Sequence, residues 1–258
     1  MLGAILLILI GSADLARVGI TSRFVRGITI AALWAVVVIL AMGGLGIAPW
    51  WIAIALILAA AWLVTTTSSI DSRTAPGILP AVGVIVALLA FLIWDRTALA
   101  MDGFIVEWHE GAVSSVIQSL PLPSIALAVG VVLFAIESSN IIVRAALRPT
   151  TSTTIPVVVP SAQSSWWRRA PSSTTAVADL KGGRLIGPVE RLLIVALTLA
   201  GALPIVAGLI AAKGIVRYPE ISNDGAGGSK AEYFLVGSLV SWAIAVAAAG
   251  LIWISVAG

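Results

Sequence analysis

The chain contains no cysteine and only one histidine, His109, among its 258 residues. The lack of cysteine excludes disulfides, thiolate nucleophiles and thiolate metal sites, and a single histidine excludes multi-histidine metal centres. Charge is also scarce: 10% of the residues are charged and 60% are hydrophobic, whereas ordinary soluble domains are about 25% charged. So little charge can hardly cover a surface that faces water. The composition therefore predicts a protein whose solvent is a lipid bilayer.

Several function classes lack support in the sequence. The formal net charge is only +3, and the basic residues are spread over short segments, so nucleic-acid binding is not predicted. No GxSxG stretch and no glycine-rich phosphate loop occurs, which argues against acyl-transfer and nucleotide chemistry. Glu107, His109 and Glu110 are too closely spaced for all three side chains to converge on one metal from a single helix face. We predict no cofactor and no metal, and the sequence favours a non-enzymatic role over an enzymatic one.

The apolar runs predict a bundle of transmembrane helices. A crossing needs about 20 mainly apolar residues, and the candidate runs are 1–20, 28–42, 47–64, 78–94, 124–143, 186–213 and 231–258. The first run is the weakest because Asp14 and Arg17 interrupt it. The turn at 43–46 predicts a helical hairpin between the second and third runs, and Pro204 predicts a kink in the sixth. The fold class is therefore an all-α polytopic bundle of six or seven spans.

The distribution of lysine and arginine predicts the orientation. Basic residues are enriched on the cytoplasmic side of membrane proteins, and they concentrate here in 12–27 and 144–185, whereas 95–123 is acidic. With seven spans the N-terminus lies outside and the C-terminus inside, and with six spans both lie inside. We expect the location to be a bacterial cytoplasmic membrane, with membrane lipids as partners.

The chain divides into three parts. Residues 1–148 form an N-terminal membrane part of about five helices, 149–179 a cytoplasmic linker rich in Ser, Thr and Pro, and 180–258 a C-terminal part of two helices. The linker cannot bury enough apolar area to order itself. Its WWRR sequence at 166–169 is a candidate for binding anionic headgroups or a partner protein.

Aromatic and amphipathic segments predict contacts with the membrane surface. Indole rings favour the headgroup layer, and the expected anchors are Trp50, Trp51, Trp62, Trp94 and Trp253. Part of 104–120 has helical spacing of apolar residues and is expected to lie on the outer surface. If the chain is an enzyme acting on a lipid-linked substrate, Asp102, Glu107, His109 and Glu110 form its possible active face.

The stretch FAIESSNIIVRAALRP (134–149) holds the first candidate site. Glu137 and Asn140 are three residues apart and share a helix face, and Arg144 can fold back toward Glu137. One interpretation is an ion pair near the membrane surface, and the other is a polar cavity for a cation, a proton or a headgroup. Asp14 and Arg17, also three apart, pose the same choice, and a neutralised pair is favoured for both.

The last third of the chain resembles the C-terminal module of a group of uncharacterised bacterial integral membrane proteins. The shared pattern is Gly-x-x-Glu-Arg at the start of one helix, then Ala-Ala-Lys, an Arg beside an aromatic residue, and Glu-Tyr with Gly-Ser opening the last helix. It covers residues 180–256, and the matching positions are Gly187, Glu190, Arg191, Lys213, Arg217, Glu232, Tyr233 and Gly237. The resemblance implies a bacterial inner-membrane protein and assigns no activity.

These residues predict a lock between helices. Glu190 and Arg191 are expected at a helix start, where a carboxylate favours the positive end of the dipole. Lys213 and Arg217 are expected to pair with Glu232 across the last loop. Small residues in the last two helices favour close packing with each other or with a partner subunit. The leading hypothesis is an accessory or structural subunit bound to other membrane proteins or to itself, and the alternatives are a small transporter or channel around Glu137 and Asn140, and a membrane enzyme.

Overall fold

The computed structural model describes residues 1–66, 77–98, 101–147, 183–222 and 229–257, and these residues form helices and no strands. The α-helices of this part are α1 (Leu2–Gly19), α2 (Arg23–Ile39), α3 (Pro49–Thr65), α4 (Leu79–Ala98), α5 (Phe104–Glu110), α6 (Ser115–Ser119), α7 (Leu122–Ile136), α8 (Ser138–Ala146), α9 (Gly183–Leu199), α10 (Leu203–Ser222) and α11 (Ser229–Ala257). A π-helical turn, Leu40–Gly44, extends α2. The prediction of an all-α fold is confirmed. The predicted linker 149–179, with WWRR, lies outside the described residues.

Helix α1 lies at the centre of the bundle. Twelve of its 18 residues are buried, and α2, α3, α4 and α7 all pack against it. The apolar side chains of α1 occupy every face, which is typical of a helix enclosed by others. The run that looked weakest as a membrane span is thus the most enclosed helix of the described part.

Two glycines allow α1 and α7 to touch along their backbones. A Cβ at Gly11 would lie 2.7 Å from the carbonyl carbon of Leu133, and a Cβ at Gly130 would lie 3.0 Å from the Ala4 oxygen. Small residues are the usual means of bringing helices this close in lipid, where hydrophobicity alone gives no preference for protein over lipid. The earlier residue of α1 meets the earlier residue of α7, and the later meets the later, so the two helices run in the same direction.

The α2–α3 turn and the acidic segment meet at one end of the bundle, which we call the turn end. The Asp102 amide donates to the Leu45 oxygen at 3.3 Å. Gly46 has a φ of 64°, and a Cβ there would collide with the Asp102 oxygen. Trp51 at the start of α3 stacks edge-on against Trp94 near the end of α4, with centroids 5.2 Å apart.

The segment 104–120 forms two short helices, α5 and α6, where the sequence predicts one amphipathic helix over part of it. Gly111 ends α5, and side chains join the two pieces. A ring nitrogen of His109 lies 3.0 Å from the Leu120 oxygen, and the Gln118 amide donates to the Glu110 oxygen at 2.9 Å. His109 thus has a partner within its own segment.

The predicted sixth span is broken into α9 and α10. Gly201, with a φ of 72°, lies in the break, and Pro204 occupies the second position of α10. Proline is tolerated in a first turn because the N–H that it lacks has no partner there. The kink expected at Pro204 is therefore replaced by a turn. Glu190 and Lys213, about equally far from Gly201, are joined by an ion pair, so α10 folds back along α9.

Helix α11 runs opposite to α7. Ser124 at the start of α7 lies 3.0 Å from Ser255 near the end of α11 (Oγ to Oγ), whereas Gly237 faces Leu147, just after α8. The end of α11 is therefore at the turn end. The predicted alternation places it at the opposite end, and the difference arises because the α9–α10 hairpin returns to the side from which it starts.

Three helices are long and apolar enough to cross a membrane: Leu2–Gly19, Arg23–Gly44 and Ala231–Ala257. The pair α7–α8 adds a fourth if its two bent pieces count as one span, and Pro49–Thr65 and Leu79–Trp94 are shorter apolar helices. The chain is accordingly a membrane-associated helical protein. Length and composition identify fewer spans than the six or seven predicted, since α3 and the apolar part of α4, Leu79–Trp94, are short and α7 meets α8 at 50°.

Candidate functional site

The site is built around a break between α7 and α8 at Glu137. The two helices meet there at an angle of 50°. The backbone N–H of Asn140 donates to the backbone oxygen of Glu137 at 2.9 Å, three residues back instead of the four of a regular α-helix. Side chains bind the carbonyls of residues 134–136, which precede the break. Their donors are Ser139, Arg191 and Asn140, at 2.9–3.1 Å. A broken helix in lipid requires such replacement partners because water is absent.

Arg191 is the principal support of the break. Its side chain is buried, with 2% exposure, and its Nε and Nη2 both donate to the Ala135 oxygen at 3.1 and 2.9 Å. Nη2 also lies 2.5 Å from Asn140 Oδ1, and Nη1 donates to Ser241 Oγ at 3.2 Å. The rigid guanidinium fork thus ties α9 to α7, α8 and α11 at one point.

Asp14 places a second buried charge beside the break. Its carboxylate is fully buried and accepts hydrogen bonds from Trp62 Nε1 at 2.9 Å, Ser138 Oγ at 2.7 Å and Arg17 Nη1 at 3.1 Å. Three neighbours on α1, α3 and α8 therefore converge on one carboxylate. A buried carboxylate is tolerated only when it is paired and hydrogen-bonded in this way.

Both ion pairs predicted from the sequence are present. Arg17 pairs with Asp14, and Arg144 Nη2 pairs with Glu137 Oε1 at 3.1 Å. Arg17 also donates to Thr66 Oγ1 at 3.0 Å and to the Leu63 oxygen at the end of α3. Glu137 is 4% exposed, so its carboxylate is enclosed by the protein, whereas Arg144 remains partly exposed.

A third cluster joins α9, α10 and α11. Lys213 Nζ lies 2.5 Å from Glu190 Oε2 and 5.7 Å from the centroid of the Trp242 ring, and Trp242 Nε1 donates to Glu190 Oε1 at 2.8 Å. The predicted lock placed Lys213 against Glu232. Glu190 is its partner instead, because α10 folds back along α9. Glu232 is exposed at the start of α11.

The remaining residues of the predicted lock lie elsewhere. Arg217 and Tyr233 are exposed on α10 and α11, and Gly237 approaches Leu147. Glu190 and Arg191 lie in the third turn of α9, which begins at Gly183, and not at its start as predicted. Their charges therefore act through direct partners, since the helix dipole is felt mainly in the first turn.

The polar groups in the described part of the bundle satisfy one another. Among its buried side-chain nitrogen and oxygen atoms, only Thr198 Oγ1 has no hydrogen-bond partner. Such completeness is the rule for buried polar groups, each of which is costly to leave unpaired. The arrangement is chemically suited to holding helices in fixed register.

Six neutral members of the site are not among the predicted site residues: Trp62, Thr66, Ser138, Ser139, Ser241 and Trp242. The sequence predicts Trp62 as a headgroup anchor, but it is 2% exposed and its indole Nε1 donates to the Asp14 carboxylate. The position of Ser138 beside Glu137 was the available signal for that residue. Ser241 and Trp242 gave none, because serine and tryptophan are unremarkable in a membrane helix.

No protein-family model matches the chain, and the searches of curated proteins and of solved structures likewise found no match. The resemblance of residues 180–256 to a group of bacterial membrane proteins therefore stays a prediction.

Proposed function

We propose that this chain is a non-enzymatic integral protein of a bacterial cytoplasmic membrane, an accessory or structural subunit that packs against other membrane proteins. The observation that carries the proposal is that the buried charged side chains Asp14, Glu137 and Arg191 are all bound by partners inside the bundle. Intramembrane ionised residues usually mark a pathway for substrate or ions. In this bundle the donors of Arg17 and Arg191 are directed at carboxylate, hydroxyl, amide and backbone oxygens, which favours a structural role.

We further propose six crossings, made by α1, α2, α3, α4, the α7–α8 pair and α11. In this arrangement the α9–α10 hairpin enters the membrane and returns to the side from which it starts. The end opposite the turn end carries Arg17, Arg23, Arg26 and Arg144, so the positive-inside rule makes that end cytoplasmic. The acidic segment and the end of α11 are then outside.

The surface of α2 is the favoured contact for a partner subunit. No residue of Arg23–Ile39 is buried, whereas the other long apolar helix near the N-terminus, α1, is mostly enclosed. Val36 and Ile39, in the second half of α2, are each more than half exposed. A neighbouring helix that packs here would bury this part of α2.

The second candidate function is transport of a proton or small cation. The observation that favours it is the pair of buried carboxylates, Asp14 and Glu137, beside a broken helix. Broken helices often form the ion sites of transporters. Here Ser138 bonds Asp14 and follows Glu137 directly in the chain, so the two carboxylates border one polar region.

One experiment distinguishes the two functions. A photo-crosslinking amino acid placed at Val36 or Ile39 in cells is expected to give a discrete adduct of defined mass. The same label at the buried Ile52, which is 2% exposed, is the matched control and should give none. A protein that remains a lone monomer without adducts, and whose reconstituted proton flux is abolished by Glu137→Gln and Asp14→Asn, would contradict the subunit role and support transport.

A further inference from the structure

The start of α2 carries two arginines at the end of the bundle opposite the turn end. Arg23 is exposed and Arg26 is partly exposed. At the adjoining end of α1, the Arg17 donors are turned inward to Asp14 and Thr66. A positive field therefore remains on the outer side of this corner.

Among the described residues, no carboxylate forms an ion pair with either arginine. No Asp or Glu occurs between Asp14 and Asp71 in the sequence, and Asp14 is already paired with Arg17. The ion pairs found among the described residues include neither Arg23 nor Arg26. Two cationic side chains at the edge of an apolar bundle thus lack an acidic partner within the described part.

The surface next to these arginines is continuously apolar. Phe24 is 77% exposed, Val25 49% and Ile28 53%, and exposed apolar residues continue along α2 to Ile39. A cationic first turn followed by an apolar helix surface is complementary to a molecule with an anionic head and hydrocarbon tails.

We propose that the start of α2 is a binding site for an anionic glycerophospholipid. Its phosphate lies between Arg23 and Arg26, and its acyl chains lie against Phe24, Val25 and Ile28 in the first half of α2. Arginine is suited to phosphate because its planar fork presents several donors at once. The first turn of α2 contains no acidic residue, and Ser22 makes no side-chain cap, so backbone N–H groups add to the same site. This inference does not depend on the subunit role.

Native mass spectrometry of the full chain tests the site. Affinities for phosphatidylglycerol and for phosphatidylcholine with identical acyl chains are measured on wild type, Arg23→Gln, Arg26→Gln and the double variant. We expect wild type to prefer phosphatidylglycerol, each substitution to weaken that lipid about fivefold, and the double variant to weaken it about 25-fold. Binding of phosphatidylcholine should not change.

Three controls make the outcome decisive. Arg217→Gln removes one exposed charge from α10 and should leave the affinity within about twofold of wild type. Arg26→Lys keeps the charge and should recover part of the loss. Millimolar inorganic phosphate should not displace the lipid. The proposal is overturned if the variants bind phosphatidylglycerol like wild type, if Arg217→Gln weakens it equally, or if phosphate alone competes fully. Unchanged thermal midpoints show that the variants remain folded.

Discussion

Replacing Asp14 by leucine is expected to lower the free energy of unfolding by about 3–5 kcal/mol, the range for breaking a buried charge pair by removing one partner. The substitution leaves the Arg17 guanidinium without its carboxylate, and it leaves the Trp62 N–H and the Ser138 hydroxyl without their shared acceptor. Because Arg17 is only 12% exposed, water cannot replace the lost partner efficiently. Reversible unfolding by titration with sodium dodecyl sulfate in mixed micelles measures the change.

The double variant Asp14→Leu/Arg17→Met is the matched control. Replacing both members of a buried pair by apolar residues of similar size is often near neutral. The double variant should therefore be more stable than Asp14→Leu alone, although Trp62 and Ser138 still lack their acceptor. If the double variant loses the sum of the two single effects, Asp14 and Arg17 do not stabilise each other.

Replacing Arg191 by leucine is expected to cost at least about 3 kcal/mol, because hydrogen bonds to a charged group contribute about 1.5–3 kcal/mol each and the acceptors left behind are buried. The Ala135 oxygen, Asn140 Oδ1 and Ser241 Oγ all lose their donor at once. The same titration measures this loss, and Arg191→Lys should recover only part of it, since an ammonium cannot reproduce the two bonds to Ala135.

Arg144→Leu is the comparison for Arg191. Arg144 is 35% exposed, and pairs open to solvent contribute about 0–1 kcal/mol, although Glu137 itself is buried. We expect a clearly smaller loss than for Arg191→Leu. Equal losses for the two arginines would show that support of the Ala135 carbonyl is not what makes Arg191 important.

The charged members of the site could be predicted because charge is conspicuous in an apolar sequence. Charged side chains are costly in lipid, which marks Asp14, Arg17, Glu137 and Arg144 as candidates, and their spacing predicts both pairs. Burial could not be predicted in the same way. The first run is predicted as the weakest membrane span because it contains Asp14 and Arg17. In the structure these two residues bind α3 and α8 from the most enclosed helix of the described part.

The partners of Arg191 could not be predicted, because they come from positions 50 or more residues away. Residues 135, 140 and 241 meet this side chain only after α7 bends and α11 packs beside α8. The predicted orientation of the C-terminal helices is wrong for a related reason. Pro204 indicates that a helix is interrupted, but the interruption can be a kink or a turn. Only the packing of α10 on α9 decides between the two.

The direction of α11 determines whether Ser241 can reach Arg191 and whether Trp242 can reach Glu190, so it is the feature to test most directly. Since the chain has no cysteine, Ser124→Cys/Ser255→Cys reports on it without background. We predict that this pair forms a disulfide in native membranes, as the two Oγ atoms are 3.0 Å apart. The pair Ser124→Cys/Ser241→Cys should remain reduced, because residue 241 lies about 21 Å away along α11. A bond in the second pair and none in the first would contradict the arrangement.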